Sequence, residues 1–174
     1  MSSDPDGLLS LLEMHGAELH ALFARLTMRP DVAEDLLQEL FLKLRRSGRL
    51  VRADNRKAYL FRTAIHLAFD WRRAQRHTEP LCAEPAVPEK SSPLDRLIDA
   101  EELKQVLDAM QYLGELGRQM LVQHYLQHEN YADIAQQLGK TEHQVRGLCS
   151  KALGQLRTLL RTATSEPEKG GARP

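Results

Sequence analysis

One stretch of the chain has the residue types of a phosphate-binding site. Gly139-Lys140-Thr141 matches the Gly-Lys-Thr that closes the phosphate loop of many nucleotide hydrolases. That loop also needs a glycine five residues before the Gly-Lys pair, but position 134 is Ile and no glycine lies between Gly117 and Gly139. The preceding residues favour a helix and not a buried strand. The spacing therefore argues against nucleotide hydrolysis.

A second candidate for chemistry is the pair His124 and His128, whose spacing of four on a helix can ligate a metal. Glu129 lies on the wrong side of that helix to complete the site, and no Ser/His/Asp or Cys/His constellation can be assembled. We therefore expect no enzyme activity, no metal and no cofactor. A metalloenzyme remains the alternative, and stoichiometric zinc in the purified protein would favour it.

The stretch around Gly139 fits a helix-turn-helix better. Ala135 is small where a second helix would cross the first, and Gly139, four residues later, tolerates the positive φ of the turn. Thr141 is a good N-cap for the second helix, although Lys140 occupies a usually apolar position. The apolar anchors are Ile134, Leu138, Val145 and Leu148. An ordinary helical hairpin is the alternative.

If this motif binds DNA, its second helix, over about 142–155, enters the major groove by its N-terminal part. Gln144 and Arg146 are then placed for base edges or phosphates, and Lys151 for a phosphate. Cys149 is expected to be a small packing residue. The full set of predicted contact residues is Thr141, Glu142, His143, Gln144, Arg146, Ser150 and Lys151.

Charge is strongly segregated along a chain whose net charge is zero. Residues 43–77 carry eleven Lys/Arg and two acids, and residues 140–161 carry five bases and one acid. Residues 78–116 between them carry nine acids and three bases. Two basic segments separated by an acidic one suggest two surfaces for a polyanion.

The elements that position these residues are helices. Apolar residues recur every three or four positions over residues 7–28, and Pro30 breaks this pattern. Asp31 is predicted to cap a second helix, with Glu34 answering in a capping box. A third helix is expected over residues 57–77, with one apolar face. Its opposite face carries Arg62, His66, Phe69 and Arg73, where cations and an aromatic ring would suit nucleic acid.

These patterns predict an all-α fold of two small helical domains. The domains span 7–77 and 95–161, joined by a proline-rich flexible linker over 78–94 and followed by a disordered tail over 162–174. No transmembrane run and no signal peptide are recognisable, so we expect a cytoplasmic protein without direct membrane insertion. Cys82 and Cys149 are expected to be reduced thiols.

Three stretches together resemble the extracytoplasmic-function class of bacterial sigma-70 factors. They are VAEDLLQELFLKL (32–44), AYLFRTAIHLAFDWRR (58–73) and YADIAQQLGKTEHQVRGLCSKAL (131–153). The sequence departs from the family where His66 replaces a common Asn, where Leu113-Gly114 replaces Leu-Pro, and at His143 and Leu148.

The resemblance implies roles for each stretch. The first would dock on the β′ clamp helices of core RNA polymerase, the second would melt and read the −10 promoter element, and the third would read the −35 element. The implied polymerase-facing residues are Asp31, Glu34, Asp35, Gln38 and Glu39. The implied −10 residues are Asn55, Arg62, His66, Phe69, Asp70 and Arg73.

The stretch AYLFRTA and the Ser-Lys-Ala ending are similar to the iron-uptake branch typified by the ferric-citrate regulator. That similarity implies a membrane-bound anti-sigma regulator, and the wider family implies further contact with the polymerase β flap. The main alternative is a stand-alone helix-turn-helix regulator that binds DNA, as a dimer, without polymerase.

Overall fold

The computed structural model describes residues 7–75 and 93–164, and every regular element within these ranges is helical. Helices α1 (Leu8–Thr27), α2 (Pro30–Ser47) and α3 (Arg56–Gln75) form the N-terminal half, with a single 3₁₀ turn at Leu50–Arg52. The C-terminal half contains α4 (Pro93–Met110), α5 (Glu115–Leu121), α6 (Tyr131–Leu138) and α7 (Glu142–Thr164). The all-α prediction is confirmed.

The N-terminal half is a three-helix unit in which α1 packs against both α2 and α3. Phe23, Leu40 and Phe61 are fully buried at its centre, one from each helix. This burial follows from the apolar stripes at helical spacing, since each stripe must leave water against another helix. The same packing leaves the opposite face of α2 in solvent.

The start of α2 differs from the prediction. Pro30 occupies the first turn and Arg29 is the N-cap residue, without a side-chain cap, so the capping box of Asp31 and Glu34 is wrong. Proline has its φ fixed near the helical value and lacks the N–H that a cap would satisfy, so the helix starts two residues earlier than an Asp31 cap would place it. Asp31 instead accepts a hydrogen bond of 2.9 Å from Arg29 Nε.

In the C-terminal half, α5 passes into a π-helical segment, Val122–Leu126, whose last turn is closed by Gln127 N–H donating to the Val122 carbonyl. Gly117 favours the close packing of α5 on α7, because a Cβ there would lie 3.1 Å from Ala152 Cβ, a tight contact. Met120, Ile134, Ala135 and Val145 form a small buried cluster beneath the turn between α6 and α7. These contacts fix the last two helices relative to α5.

The last helix is longer than predicted. It runs to Thr164, so residues 162–164 are helical and do not belong to a disordered tail. Pro93 and Leu94 are likewise the first residues of α4 and not the end of a linker. The rest of the predicted linker, the rest of the tail and Cys82 lie outside the described residues.

The two halves pack together. The main buried core contains Leu60 and Phe69 of α3 together with Leu107 and Met110 of α4 and Leu121 of α5. Arg72 of α3 is buried across this contact. No helix in the described ranges is both long and apolar enough to cross a membrane.

Gly139 is a position where backbone geometry restricts the sequence. Its φ is +61°, and nothing lies within 4 Å of the place a Cβ would occupy, so the restriction comes from the backbone alone. Gly139→Val is expected to destabilise the protein by at least about 1–2 kcal/mol, because a β-branched residue resists the left-handed region. Thermal unfolding followed by circular dichroism measures this.

Gly16→Ala is the matched control, since Gly16 lies within α1 with open space around it. It should stabilise the protein by about 0.5–1 kcal/mol, because alanine loses less backbone entropy in a helix. A Gly139→Val protein as stable as the parent would contradict the requirement for positive φ.

Candidate nucleic-acid interface

The exposed side of α2 forms a continuous acidic surface, defined by Asp31, Glu34, Asp35, Gln38 and Glu39. All five side chains are exposed. Leu36 and Leu40 on the other side of the helix are buried, so they fix the orientation of this surface. The hydrogen bond from Arg29 holds the pKa of Asp31 below its usual value. The acidic surface is therefore exposed to a basic partner along the whole side of the helix.

Three of the predicted −10 residues lie along the exposed edge of α3. Arg62, Asp70 and Arg73 are exposed, and the Arg62 guanidinium stacks over the Tyr59 ring at 5.4 Å. Arg73 pairs with Asp70 at 3.4 Å. These cations are accessible to phosphate oxygens.

Asn55 has a local structural role at the start of the same helix. Its Oδ1 accepts a hydrogen bond of 2.9 Å from the Ala58 N–H and so caps α3. The side chain is exposed, and its amide carries N–H₂ donors in addition to the oxygen that forms this cap.

The prediction that Phe69 lies exposed among cations is wrong. Its ring is fully buried, and the guanidinium of Arg118 from α5 lies 4.8 Å from the ring centroid. Helical periodicity places Phe69 on the same side as Arg62, but it cannot show that a helix from the other half covers part of that side. The ring is thus not available to a base in this conformation.

His66 lies beside the same contact and is half-buried. Its Nε2 atom is 2.8 Å from Glu115 Oε1 of α5. Burial lowers the pKa of His66, and the neighbouring Glu115 opposes this shift only in part. The imidazole is therefore neutral at pH 7 and contacts α5 of the C-terminal half.

The predicted −35 residues are all exposed at one end of α7. Thr141 Oγ1 accepts a hydrogen bond of 3.2 Å from Gln144 N–H, and Gln144 Oε1 accepts one of 3.0 Å from Thr141 N–H. This reciprocal pair is a capping box, which confirms Thr141 as the N-cap. Gln144 therefore keeps its amide N–H₂ as the group free to reach a base.

Arg146 is held in place by two neighbours. It donates to Glu142 Oε1 at 2.5 Å, and its guanidinium lies 5.1 Å from the centroid of the Tyr131 ring in α6. Both contacts are on the surface, so they orient the N–H donors of the Arg146 guanidinium without burying them. A phosphate or a guanine edge could replace Glu142 as the acceptor.

A polar network beneath the helix-turn-helix was not predicted from the sequence. Gln123 Nε2 donates to Gln137 Oε1 at 2.7 Å, and Gln137 Nε2 donates to Glu129 Oε2 at 2.8 Å. Gln119 donates to Gln123 from the preceding turn. This network ties α6 to α5 and the π-helical segment. Buried glutamines show no periodicity that separates them from exposed ones, so the sequence gives little signal.

The two histidines considered as metal ligands are not arranged as such a pair. His124 Nδ1 lies 2.9 Å from the Glu129 carbonyl oxygen, and its ring stacks on Tyr131. His128 follows the helix end and has φ of +57°, so the two rings do not share a helical face. Within residues 7–75 and 93–164, no three His, Cys, Asp or Glu side chains are grouped to hold a metal. Cys149 is buried as predicted.

Comparison with known proteins identifies both halves. The Sigma-70 region 2 family matches residues 11–78, and the Sigma-70, region 4 family matches residues 109–158. The probable RNA polymerase sigma factor RfaY of Xanthomonas campestris is 30% identical over 145 residues, which cover 78% of this chain and 36% of that protein. The chain thus spans about a third of that relative's length.

Two further proteins are similar along most of their length. The RNA polymerase sigma factor CarQ of Myxococcus xanthus is 28% identical over 158 residues, covering 89% of this chain and 90% of that protein. The sigma factor RpoE of Bartonella quintana, solved in complex with the anti-sigma factor NepR, is 22% identical with a TM-score of 0.48. That match covers 86% of this chain and 94% of the solved one.

Glu129 provides a pH-dependent test of the polar network. Burial raises its pKa above the ordinary value of 4.5, and the hydrogen bond from Gln137 opposes this only in part. The folded state therefore prefers the neutral acid. The stability of the protein thus falls as pH rises from the ordinary pKa of the Glu129 carboxyl to its higher pKa in the folded state. Glu129→Gln should raise the Tm at pH 7, with a difference that shrinks below pH 4.5.

The Tm of the parent and of Glu129→Gln, measured from pH 3 to pH 8, tests this expected pH dependence. Glu13→Gln, at an exposed position of α1, is the control and should show no such pH-dependent difference. A constant Tm difference across the whole range would contradict the raised pKa of Glu129.

Proposed function

Because the chain belongs to the sigma-70 family, with the two-domain arrangement of its extracytoplasmic-function class, we propose that it binds core RNA polymerase and directs promoter-specific initiation of transcription. The observation that carries this proposal is the presence in one chain of region 2 and region 4, in that order. The sigma-70 family is a class of transcription initiation factors and not of enzymes.

The acidic surface of α2 is the proposed site for the β′ clamp helices. Its five residues are exposed on a helix whose other side is locked into the core. Such a rigid, charged surface favours fast association with a basic partner and sets the register of the complex.

Promoter contacts are proposed on α3 and α7. The −10 element is assigned to Asn55, Arg62, His66, Phe69, Asp70 and Arg73, and the −35 element to the exposed start of α7. Each set offers only several phosphate contacts, so the binding of either half alone would be weak and sensitive to salt. Both halves held on polymerase have a raised effective concentration at the promoter.

Contact with the β flap is proposed at an apolar groove of the C-terminal half. The groove lies between α4, the end of α5 and α7, and its lining includes the half-exposed ring of Tyr125. The other lining residues are Val106, Leu107, Met110, Leu121, Leu126, Leu153 and Leu156. An apolar segment of the polymerase would remove this surface from water.

The finer part of the proposal concerns regulation. We propose that a membrane-bound anti-sigma regulator controls the chain, and that its regulon serves iron, siderophore or haem uptake or another envelope-signalled response. Residues 58–64 and the Ser150-Lys151-Ala152 ending support it by their similarity to the ferric-citrate branch. Sequencing of transcripts after induced expression of the chain tests the regulon. Transcripts limited to genes unconnected with metal or haem uptake would exclude this branch.

The activity itself is tested by transcription from genomic DNA with purified bacterial core polymerase that lacks sigma. Added chain should yield transcripts with defined 5′ ends. A stand-alone regulator would instead bind its DNA equally well without core polymerase and would support no initiation. Failure to yield transcripts or to bind core polymerase would therefore reject the proposal.

Charge reversal on the acidic surface should weaken binding to core polymerase. Asp35→Lys and Glu39→Lys are each expected to raise the Kd at least about tenfold, because like charges then face the basic partner. Fluorescence anisotropy with labelled chain measures the Kd, and helical content should be unchanged. Glu13→Lys makes the same charge change on α1 and should leave the Kd unchanged; equal losses for all three variants would place the docking surface elsewhere.

Arg146→Ala should impair recognition of the −35 element without affecting core binding. A lost bidentate base contact corresponds to about 1–3 kcal/mol, or roughly 5- to 150-fold in promoter affinity. Gln144→Ala should act in the same direction and also lower the Tm, because it opens the capping box. DNA binding by the holoenzyme at fixed salt measures both effects.

Arg157→Ala is the matched control for these variants. Arg157 is exposed on the same helix, four turns beyond the capping box, and its loss removes the same charge. It should change promoter affinity much less than Arg146→Ala does. Equal effects of the two variants would indicate a general electrostatic role for α7 in place of base recognition.

A further inference from the structure

We propose that Tyr131, the first residue of α6, is a positioning residue for base recognition by Arg146, and that the stacked ring of His124 keeps Tyr131 in place. The first helix of the helix-turn-helix thus takes part in reading DNA through a side chain that need not touch DNA itself. The assignment of Arg146 to the −35 element rests on the proposed function, whereas the contacts among the three side chains do not.

Tyr131 is held at the start of α6 by contacts with two helices. Asn130 caps α6, its Oδ1 accepting a hydrogen bond of 2.8 Å from the Asp133 N–H. The half-buried Tyr131 ring packs against the small buried cluster that includes Val145 of α7. Its hydroxyl lies near the buried Cys149 thiol of the same helix. Contacts on both helices restrict the rotation of the ring.

The imidazole of His124 supports the same ring. The two rings stack with their centroids 4.2 Å apart and their planes 20° apart. His124 belongs to the π-helical segment, and its Nδ1 atom lies 2.9 Å from the Glu129 carbonyl oxygen. Because a carbonyl only accepts, Nδ1 carries a proton and donates it. This hydrogen bond fixes the plane of the imidazole, and π-helical turns often occur at functional sites.

Arg146 uses two different parts of its guanidinium for its two contacts. The flat face lies over the Tyr131 ring, with the central carbon 5.1 Å from the ring centroid, whereas an N–H donor meets Glu142 one turn earlier. An ion pair between exposed residues of one helix is weak, and a base edge or a phosphate can replace its carboxylate. The contact with Tyr131 leaves the N–H edge free, so it can persist when Arg146 binds a base.

A guanidinium held by its face presents its N–H donors in a fixed plane. Bidentate recognition needs two of these donors aligned with two acceptors of one base edge. A side chain that is already oriented also loses less rotamer freedom on binding. Tyr131 should therefore increase both promoter affinity and discrimination at the base that Arg146 contacts.

A double-mutant cycle shows whether Tyr131 acts through Arg146. Binding of the holoenzyme to a fluorescein-labelled duplex of a promoter mapped in the transcription assay is measured at fixed salt. Tyr131→Leu should lower the affinity about three- to fivefold, as expected for loss of an exposed cation–π contact. In the Arg146→Ala background, the same substitution should change the affinity by less than about twofold, because the guanidinium is already absent. Equal losses in both backgrounds would overturn the proposal.

Two variants serve as controls for the cycle. Tyr131→Phe keeps the ring and removes only the hydroxyl, so its promoter affinity should stay within about twofold of that of the parent. Tyr112→Leu makes the tyrosine-to-leucine change at an exposed position between α4 and α5 and should leave the affinity unchanged. A loss in Tyr131→Phe as large as that in Tyr131→Leu would assign the effect to the hydroxyl and contradict the role of the ring.

Base discrimination gives a second readout that a general loss of stability would not move. Promoters with each of the four bases at each position of the −35 element identify the position where Arg146→Ala loses discrimination. Tyr131→Leu should reduce discrimination at that same position at least about threefold and leave the other positions unchanged. A reduction spread evenly over all positions would contradict positioning of Arg146.

His124→Asn tests the stacked ring. Asparagine retains an N–H donor for the Glu129 carbonyl but has no ring to stack on Tyr131. Discrimination at the Arg146 position should fall, by less than in Tyr131→Leu. This variant leaves the packing of Tyr131 on α7 in place, so it tests the stack even if Tyr131→Leu lowers the Tm. Unchanged discrimination would overturn the role assigned to His124.

A measurement on the free chain separates the positioning of Arg146 from the proposed function. NMR relaxation of the Arg146 Nε–H group reports how firmly the guanidinium is held without polymerase or DNA, and loss of the signal in Arg146→Lys assigns it. In Glu142→Ala, which removes the ion pair, the order parameter should stay high. Added Tyr131→Leu should lower it below about 0.6, the range of flexible groups.

The outcomes distinguish failure of the positioning from failure of the sigma-factor function. Equal order parameters in Glu142→Ala with and without Tyr131→Leu would overturn the positioning even if the chain initiates transcription. A guanidinium that is held only when Tyr131 is present, in a chain that yields no transcript from any template, would support the positioning and reject the sigma-factor function.

Discussion

The arrangement of the whole molecule depends on the burial of Arg72. A guanidinium that is only 8% exposed must find acceptors, because its lost hydration is otherwise uncompensated. Its acceptors are the Leu26 carbonyl, where α1 ends, and the Asp108 carboxylate of α4. One side chain of α3 therefore fixes the end of α1 and the approach of the C-terminal half. Loss of either acceptor would leave part of this buried cation without compensation for its lost hydration.

The turn between α6 and α7 depends on a different kind of constraint, one that is local in sequence. Gly139 takes up the left-handed conformation, which lets the Lys140 N–H donate to the Ala135 carbonyl at 2.9 Å and ends α6. Thr141 and Gln144 then cap α7 reciprocally. The angle between the two helices is thus set within a few residues, and the buried cluster around Val145 holds it.

This difference explains what the sequence predicts well. The helices, the acidic surface and the helix-turn-helix follow from periodicity, glycine and capping residues, all of which act within a few positions. Phe69 could not be placed in the same way, because its burial depends on α5, about fifty residues further along the chain. The polar network of Gln123, Gln137 and Glu129 is equally non-local. At α2, Pro30 and Asp31 both signal a helix start, and the proline determines it.

The charge pattern connects these local and non-local constraints. A chain with two exposed basic surfaces would bind any DNA weakly, since phosphate contacts carry no sequence information. Two acidic residues from the middle of the chain, Asp108 and Glu115, contact Arg72 and His66 of the first basic segment, while the start of α7 stays exposed. If both halves bind polymerase as proposed, the effective concentration of promoter DNA is high and weak contacts suffice. The zero net charge therefore conceals a separation of acidic and basic segments along the chain.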